Sequence, residues 1–201
     1  MRDAENIRQL ALLEPDYIGF IFYPKSKRYA DSLDTDALNR LPLSTKKTGV
    51  FVNATFEDIS KQIKAYNLQA IQLHGDETPE FCTSFINNDI EVIKAFGIDK
   101  QFDFNTLNTY NNAVDYFLFD TKTDQYGGSG QVFNWDLLKM YHLEKPYFLS
   151  GGLGVEHLNE IKKINDTRLY ALDFNSRFEL QPGLKDIEKL TSVFNEIKIP
   201  V

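Results

Sequence analysis

Short apolar runs alternate with segments of helical periodicity along the whole chain. Ala4, Ile7 and Ala11 fall at helical spacing, so a helix opens it. Asp16–Phe22 is an apolar, β-rich run that stops before Pro24, and the polar stretch Lys25–Arg28 follows. Lys47–Val52 repeats the strand pattern. Thr55 and Asp58 then sit at capping-box spacing, and Phe56, Ile59, Ile63 and Tyr66 share one helical face. Ala70–Leu73 is a strand ending at His74-Gly75, and Pro79 suits the first turn of a helix through Phe81 and Phe85. Glu91–Phe96 is a strand, whereas Asp99–Asn112 is polar and has no clear period. Val114–Phe119 is a strong strand ending at Asp120. A long loop, Thr121–Gly130, leads to a helix near Trp135–Met140. Pro146–Leu149 ends in Ser150-Gly151-Gly152, and Val155, Leu158 and Ile161 mark another helix. Leu169–Leu172 ends in Asp173, with Gly183 as a turn before a closing helix through Ile187, Leu190, Phe194 and Ile197.

The pattern predicts seven strands, each followed by a helix-sized segment, plus one helix in front: eight helix-sized segments in all. Such alternation implies parallel βαβ units, wound in one direction by the right-handed crossover rule. A closed barrel and an open doubly wound sheet both fit. The strands are short and their polar residues cluster at the C-terminal ends, which favours a TIM (β/α)8 barrel. No linker or low-complexity stretch interrupts residues 1–201, so a single domain is expected. A (β/α)8 barrel begins with a strand, and this chain begins with the helix that would follow it. A barrel lacking one stave has two exposed parallel edges. The expectation is therefore a barrel whose strand 1 is missing from this sequence.

Composition narrows the function. At 201 residues the chain is near the lower size of such barrels, roughly 200 residues. A net charge of −7 argues against nucleic acid or an anionic membrane as partner. It leaves a small anionic substrate open, because a pocket's field is set locally. One cysteine, Cys82, permits no intrachain disulfide and suits a reducing compartment. No apolar run approaches a membrane span and no hydrophobic signal core opens the chain, so a cytoplasmic enzyme is expected.

Asp120, at the end of an apolar strand, borders both mouth and core; desolvation there would raise its pKa and let it act as a general acid. A loop-capping role fits the spacing equally well. Gly127–Gly130 could let backbone approach a ligand, but it lacks the dinucleotide fingerprint and also reads as a plain flexible loop. The turns Ser150–Gly152 and Asp173–Ser176 end the last two strands, where backbone amides hold phosphate in many barrels. Arg28 could bind a carboxylate or simply belong to a basic loop beside Lys25 and Lys27. His74 could face substrate or be structural, while His142 and His157 carry no assigned role. Three scattered histidines and one cysteine give no metal-ligand spacing, and Cys82 reads as a small buried hydrophobe.

Six segments in order resemble the phosphoribosylanthranilate isomerase family: DYIGFIFYPKSKRYAD (16–31), TGVFVN (48–53), AIQLHGDE (70–77), FLFDTKTDQYGGSGQVFNW (117–135), LSGGL (149–153) and DFNSRFELQPGLKD (173–186). The resemblance implies a (β/α)8 barrel of tryptophan biosynthesis. Its reaction is the Amadori rearrangement of N-(5-phosphoribosyl)anthranilate to 1-(2-carboxyphenylamino)-1-deoxyribulose 5-phosphate, with no cofactor and no metal. It makes Asp120 the general acid and places Arg28 by the anthranilate carboxylate. It puts His74 and Asp173 around the substrate, Gly128 and Gly130 in a mobile loop, and Gly152, Asn175 and Ser176 in phosphate-binding turns. Arg177 stands where the family commonly has glycine, so it would either alter the phosphate turn or pair with phosphate.

The family's general base is a cysteine ending strand 1, in a Lys-x-Cys-Gly-Met-like motif whose methionine matches Met1. That cysteine is absent from the sequence, and Cys82 lies on a later helix. Little activity and low stability are therefore expected of these 201 residues alone. Two other readings fit: a non-catalytic phosphate-binding barrel, and another phosphosugar barrel enzyme such as indole-glycerol-phosphate synthase. The last needs lysines at strand ends that are not found at the matching places. A monomer or homodimer is expected.

Overall fold

Residues 1–86, 89–122 and 132–197 are described by a computed structural model. Its seven parallel strands hydrogen-bond in chain order: β1 (Tyr17–Ile21), β2 (Lys46–Phe51), β3 (Ala70–Leu73), β4 (Glu91–Ile98), β5 (Tyr116–Thr121), β6 (Tyr147–Leu149) and β7 (Leu169–Leu172). The sheet curls, and each strand sends alternate side chains to opposite faces. The concave face packs Ala70, Ile93, Ala95, Leu118 and Phe148 against Tyr17, Tyr116 and Ala171. The convex face buries Ile18, Phe20, Phe51, Phe117 and Phe119 under the helices. Burial on both faces is why the strands read as nearly continuous apolar runs. At the N-terminal end of the sheet, Glu91 takes both Lys46 and the Tyr17 hydroxyl, closing the floor with a polar clasp.

The α-helices are α1 (Ala4–Ala11), α2 (Thr35–Asn39), α3 (Phe56–Tyr66), α4 (Pro79–Thr83), α5 (Leu158–Ile161) and α6 (Ile187–Ile197). Their starts follow local chemistry. Thr55 Oγ1 accepts the Asp58 amide at 3.1 Å, and Thr78 Oγ1 accepts that of Phe81 with Pro79 as the first helical residue. Such a cap is worth about 1 kcal/mol. The polar stretch without clear period holds a 3₁₀ helix at Phe104–Tyr110. The helix expected at Trp135–Met140 is also 3₁₀, started by Asn134 accepting the Asp136 amide and ended by extended Tyr141. Val155–His157 is 3₁₀ before it becomes α5. Gly183 is a turn before the closing helix, as expected, and the turn joins an antiparallel hairpin, β8 (Glu179–Gln181) with β9 (Leu184–Lys185), that the apolar pattern does not predict.

Among the described residues β1 and β7 do not pair, so the curled sheet keeps two open edges. No residue of β7 is buried, whereas all three of β6 are. The fold is thus the expected barrel with seven staves, the strand 1 position unfilled. Among the described residues no helix is long and apolar enough to cross a membrane.

Candidate active site

Three strands deliver their last inward side chains to one mouth: His74 after β3, Asp120 in β5 and Asp173 after β7, with Ser150 after β6 between them. Asp120 Oδ2 lies 3.3 Å from His74 Nε2, and its Oδ1 accepts the Thr121 amide at 2.7 Å. The Gln72 amide nitrogen is 2.8 Å from His74 Nδ1. Nδ1 is then the acceptor, and the ring proton sits on Nε2, toward Asp120. Asp120 and His74, two separate sequence candidates, therefore form one acid–imidazole unit.

Gly151 explains the clearance around the acid. Its φ is +90°, and a Cβ there would lie 2.4 Å from the Thr121 nitrogen and 2.8 Å from Asp120 Oδ1. Only glycine fits both the backbone and the gap.

Asp173 accepts the Ser150 hydroxyl at 3.0 Å. Burial raises its carboxyl above the ordinary value of 3.8, Asp120 adding to the rise and Lys185 opposing it. The ionised form is thus disfavoured in the fold. That contribution to stability is fully present below the unfolded value and is lost as pH rises through the raised one. Asp173→Asn is accordingly expected to raise the thermal midpoint at neutral pH, on the scale of ~2–4 °C per kcal/mol gained. The gain should vanish below about pH 3.8. Melting curves across that range check it, and a gain independent of pH would count against burial as its cause.

The phosphate-side candidates converge from two turns. Gly152, with φ +69°, lines the same cavity as Asn175 and Ser176. Lys185, which sequence reasoning missed, is buried there: its ammonium donates to Asn175 Oδ1 at 2.8 Å and to the Asn175 carbonyl at 3.1 Å. Burial pulls that ammonium below its ordinary value while Glu179 and Asp173 pull it back. Its only sequence signal is a lysine just before the closing helix. Arg177 donates to Glu156 Oε1 at 2.6 Å.

Arg28 reaches the mouth from the loop after β1, held by an unforeseen partner. Its Nε and Nη2 both lie 2.8 Å from Glu179 Oε2. A guanidinium has five N–H groups, so this grip fixes the plane and leaves further donors for a ligand. Glu179 Oε1 lies 3.5 Å from Lys185, linking the two cations through one buried carboxylate. Gly128 and Gly130 lie outside the described residues. Cys82 is buried in the helix layer, where desolvation pushes its thiol up to about 12, so it is inert there.

Arg28, His74, Asp120, Gly152, Asp173, Asn175, Ser176 and Lys185 all face one cavity of about 940 Å³. Away from the mouth the cavity runs into the gap between β1 and β7, over Leu10, Leu13, Leu190 and Phe194.

Residues 1–196 match the family model described as "N-(5'phosphoribosyl)anthranilate (PRA) isomerase". The N-(5'-phosphoribosyl)anthranilate isomerase of Parabacteroides distasonis is 44% identical over 202 residues, covering 100% of this chain and 91% of that protein. The crystal structure of phosphoribosyl anthranilate isomerase from Thermotoga maritima is 34% identical, with a TM-score of 0.82 over 98% of this chain and 95% of that one. A third relative, 30% identical with a TM-score of 0.80 over 98% of this chain and 95% of that one, is a phosphoribosyl anthranilate isomerase in complex with reduced 1-(o-carboxyphenylamino)-1-deoxyribulose 5-phosphate. With nearly the whole chain matched in sequence and in fold, the protein belongs to the N-(5'-phosphoribosyl)anthranilate isomerase family.

Proposed function

We propose that this chain binds N-(5-phosphoribosyl)anthranilate and carries the acid half of its Amadori rearrangement. The observation that carries the reading is the Asp120–His74 unit, placed in one cavity with the Lys185 and Gly152 turns and with Arg28. A substrate with a carboxylate at one end and a phosphate at the other suits a cavity with Arg28 and the turns as separate anchors.

In this assignment Asp120 gives its proton to the ribose ring oxygen. The C1–O bond breaks, the nitrogen lone pair forms C=N, and a protonated Schiff base results. A base then takes the C2 proton, and the C2–H electrons form the enol-amine, which tautomerises to the 2-ketone. The family resemblance gives the second step to a thiol. Among the described residues Cys82 is the one thiol and it lies in the helix layer, so these residues supply the acid and the anchors.

Titration calorimetry with reduced 1-(o-carboxyphenylamino)-1-deoxyribulose 5-phosphate tests the shared part. One site per chain is expected, weakened at least ~10-fold by Arg28→Ala, the order of a lost charged hydrogen bond, and displaced by inorganic phosphate. Absence of saturable binding, or binding indifferent to Arg28→Ala and to phosphate, would overturn the assignment.

A further inference from the structure

Beneath His74 lies a buried ion pair that the reaction above does not use. Lys94 Nζ is 3.2 Å from Glu77 Oε2, and each side chain is only 2% exposed. Lys94 comes from β4, on the convex face, opposite Leu73 in register. Its ammonium donates to the Leu73 carbonyl at 3.2 Å, the Gly75 carbonyl at 2.8 Å and the Ala95 carbonyl at 3.1 Å. Glu77 accepts the Gly75 amide at 2.9 Å and the Asn53 amide at 2.8 Å. The His74 amide itself donates to the Phe51 carbonyl at 2.8 Å. The backbone polar groups on both sides of His74 are thus gripped from below by two opposite charges.

Two of the ammonium's three carbonyl acceptors, those of Leu73 and Gly75, flank His74, and the carboxylate takes the Gly75 amide between them. Stability alone gives weak reason for such a pair, since well-packed apolar residues often serve a core as well or better. An ion pair that holds the backbone on both sides of one residue does what apolar packing cannot: it sets the direction in which the middle side chain leaves the chain. That direction aims His74 Nε2 at Asp120 and Nδ1 at Gln72.

We propose that Lys94 and Glu77 are positioning residues for His74, and through it for Asp120. The link to chemistry rests on the reading of Asp120 as the acid; the link to His74 geometry does not. The pair touches neither the cavity nor the substrate anchors, so it acts by holding the imidazole in one orientation and one tautomer.

Imidazole ¹⁵N NMR of the full chain, without ligand and at a pH where the rings are neutral, tests this directly. The three histidines are assigned with His74→Asn. In the unsubstituted chain the Nε2–H tautomer of His74 should dominate by ~tenfold or more, and its Nε2 shift should respond to Asp120→Asn. Lys94→Met should leave a mixture of tautomers and abolish the response to Asp120→Asn; Lys94→Arg should restore both in part. Glu77→Gln keeps the shape and one acceptor, and serves the same reading if Lys94→Met does not fold. A folded Lys94→Met or Glu77→Gln chain with the His74 tautomer and its response to Asp120→Asn unchanged would overturn the proposal. Because no turnover is measured, failure here is distinct from failure of the proposed reaction, which shows as absent analogue binding.

Discussion

Asp120→Asn is expected to lower turnover of phosphoribosylanthranilate by about 10²–10⁴-fold, the range a positioned general acid contributes, while a reduced product analogue still binds within a few-fold. The comparison belongs in a chain that turns the substrate over, such as the strand-extended one described below. Asparagine matches aspartate in shape. Its oxygen can still accept the Thr121 amide, now held at 2.7 Å, and it still fits the space that Gly151 leaves. What it cannot do is give a proton to the ribose oxygen. A loss confined to turnover, with analogue affinity and melting midpoint kept, therefore isolates proton donation from positioning. Unchanged turnover would remove Asp120 as the acid. His74 then becomes the next candidate, since its Nε2 proton faces the same space at 3.3 Å from the carboxylate.

The sheet was readable from the chain because every strand is short and covered on both faces. Runs such as Ala70–Leu73 and Phe117–Phe119 then have nowhere to go but a parallel sheet. The 3₁₀ helices were not separable from α-helices, because six or seven residues hold too little period to tell the two apart. The hairpin around Gly183 was invisible for another reason: Glu179 and Lys185 face polar partners and Gln181 is exposed, so no apolar alternation marks it. Of the site, the strand-end residues were legible, since barrel chemistry collects there. Their partners were not. Arg28 and Glu179 are 151 positions apart, and no local spacing joins them. One clue did stand in the sequence. Lys94 interrupts the apolar run Val92-Ile93-Lys94-Ala95-Phe96, and a lysine inside a buried strand requires a charged or carbonyl partner. Glu77 is that partner, and only the packing of β3 on β4 reveals it.

Fusing one apolar, parallel strand ahead of Met1, ending in cysteine at the mouth, is expected to raise both stability and turnover. The open edges of β1 and β7 border a cavity already roofed by Leu10 of α1 and Leu13 just after it, and by Leu190 and Phe194 of α6. Met1 is buried against this gap, its amino group donating to the Gly19 carbonyl of β1 at 3.0 Å, so a preceding segment enters the gap directly. Each inward or outward apolar side chain added there contributes about 1.5–3 kcal/mol by burial. Ordering costs about 1.5 kcal/mol per residue, which leaves a net gain of a few kcal/mol and a midpoint rise on the order of 10 °C. The pairing also removes two edges that would otherwise recruit other strands, so the unextended chain should self-associate and the extended one should do so less, as light scattering would show. Chemistry is separated from packing by a second fusion with serine in place of the strand's cysteine. Both strands should stabilise equally, because the two residues are close in size. Only the cysteine strand should raise turnover, by about 10²–10⁴-fold, the contribution of a positioned base. Equal turnover from the two fusions would place the base elsewhere in the cavity, and equal turnover without any fusion would mean that the seven-stranded sheet already holds a complete acid–base pair.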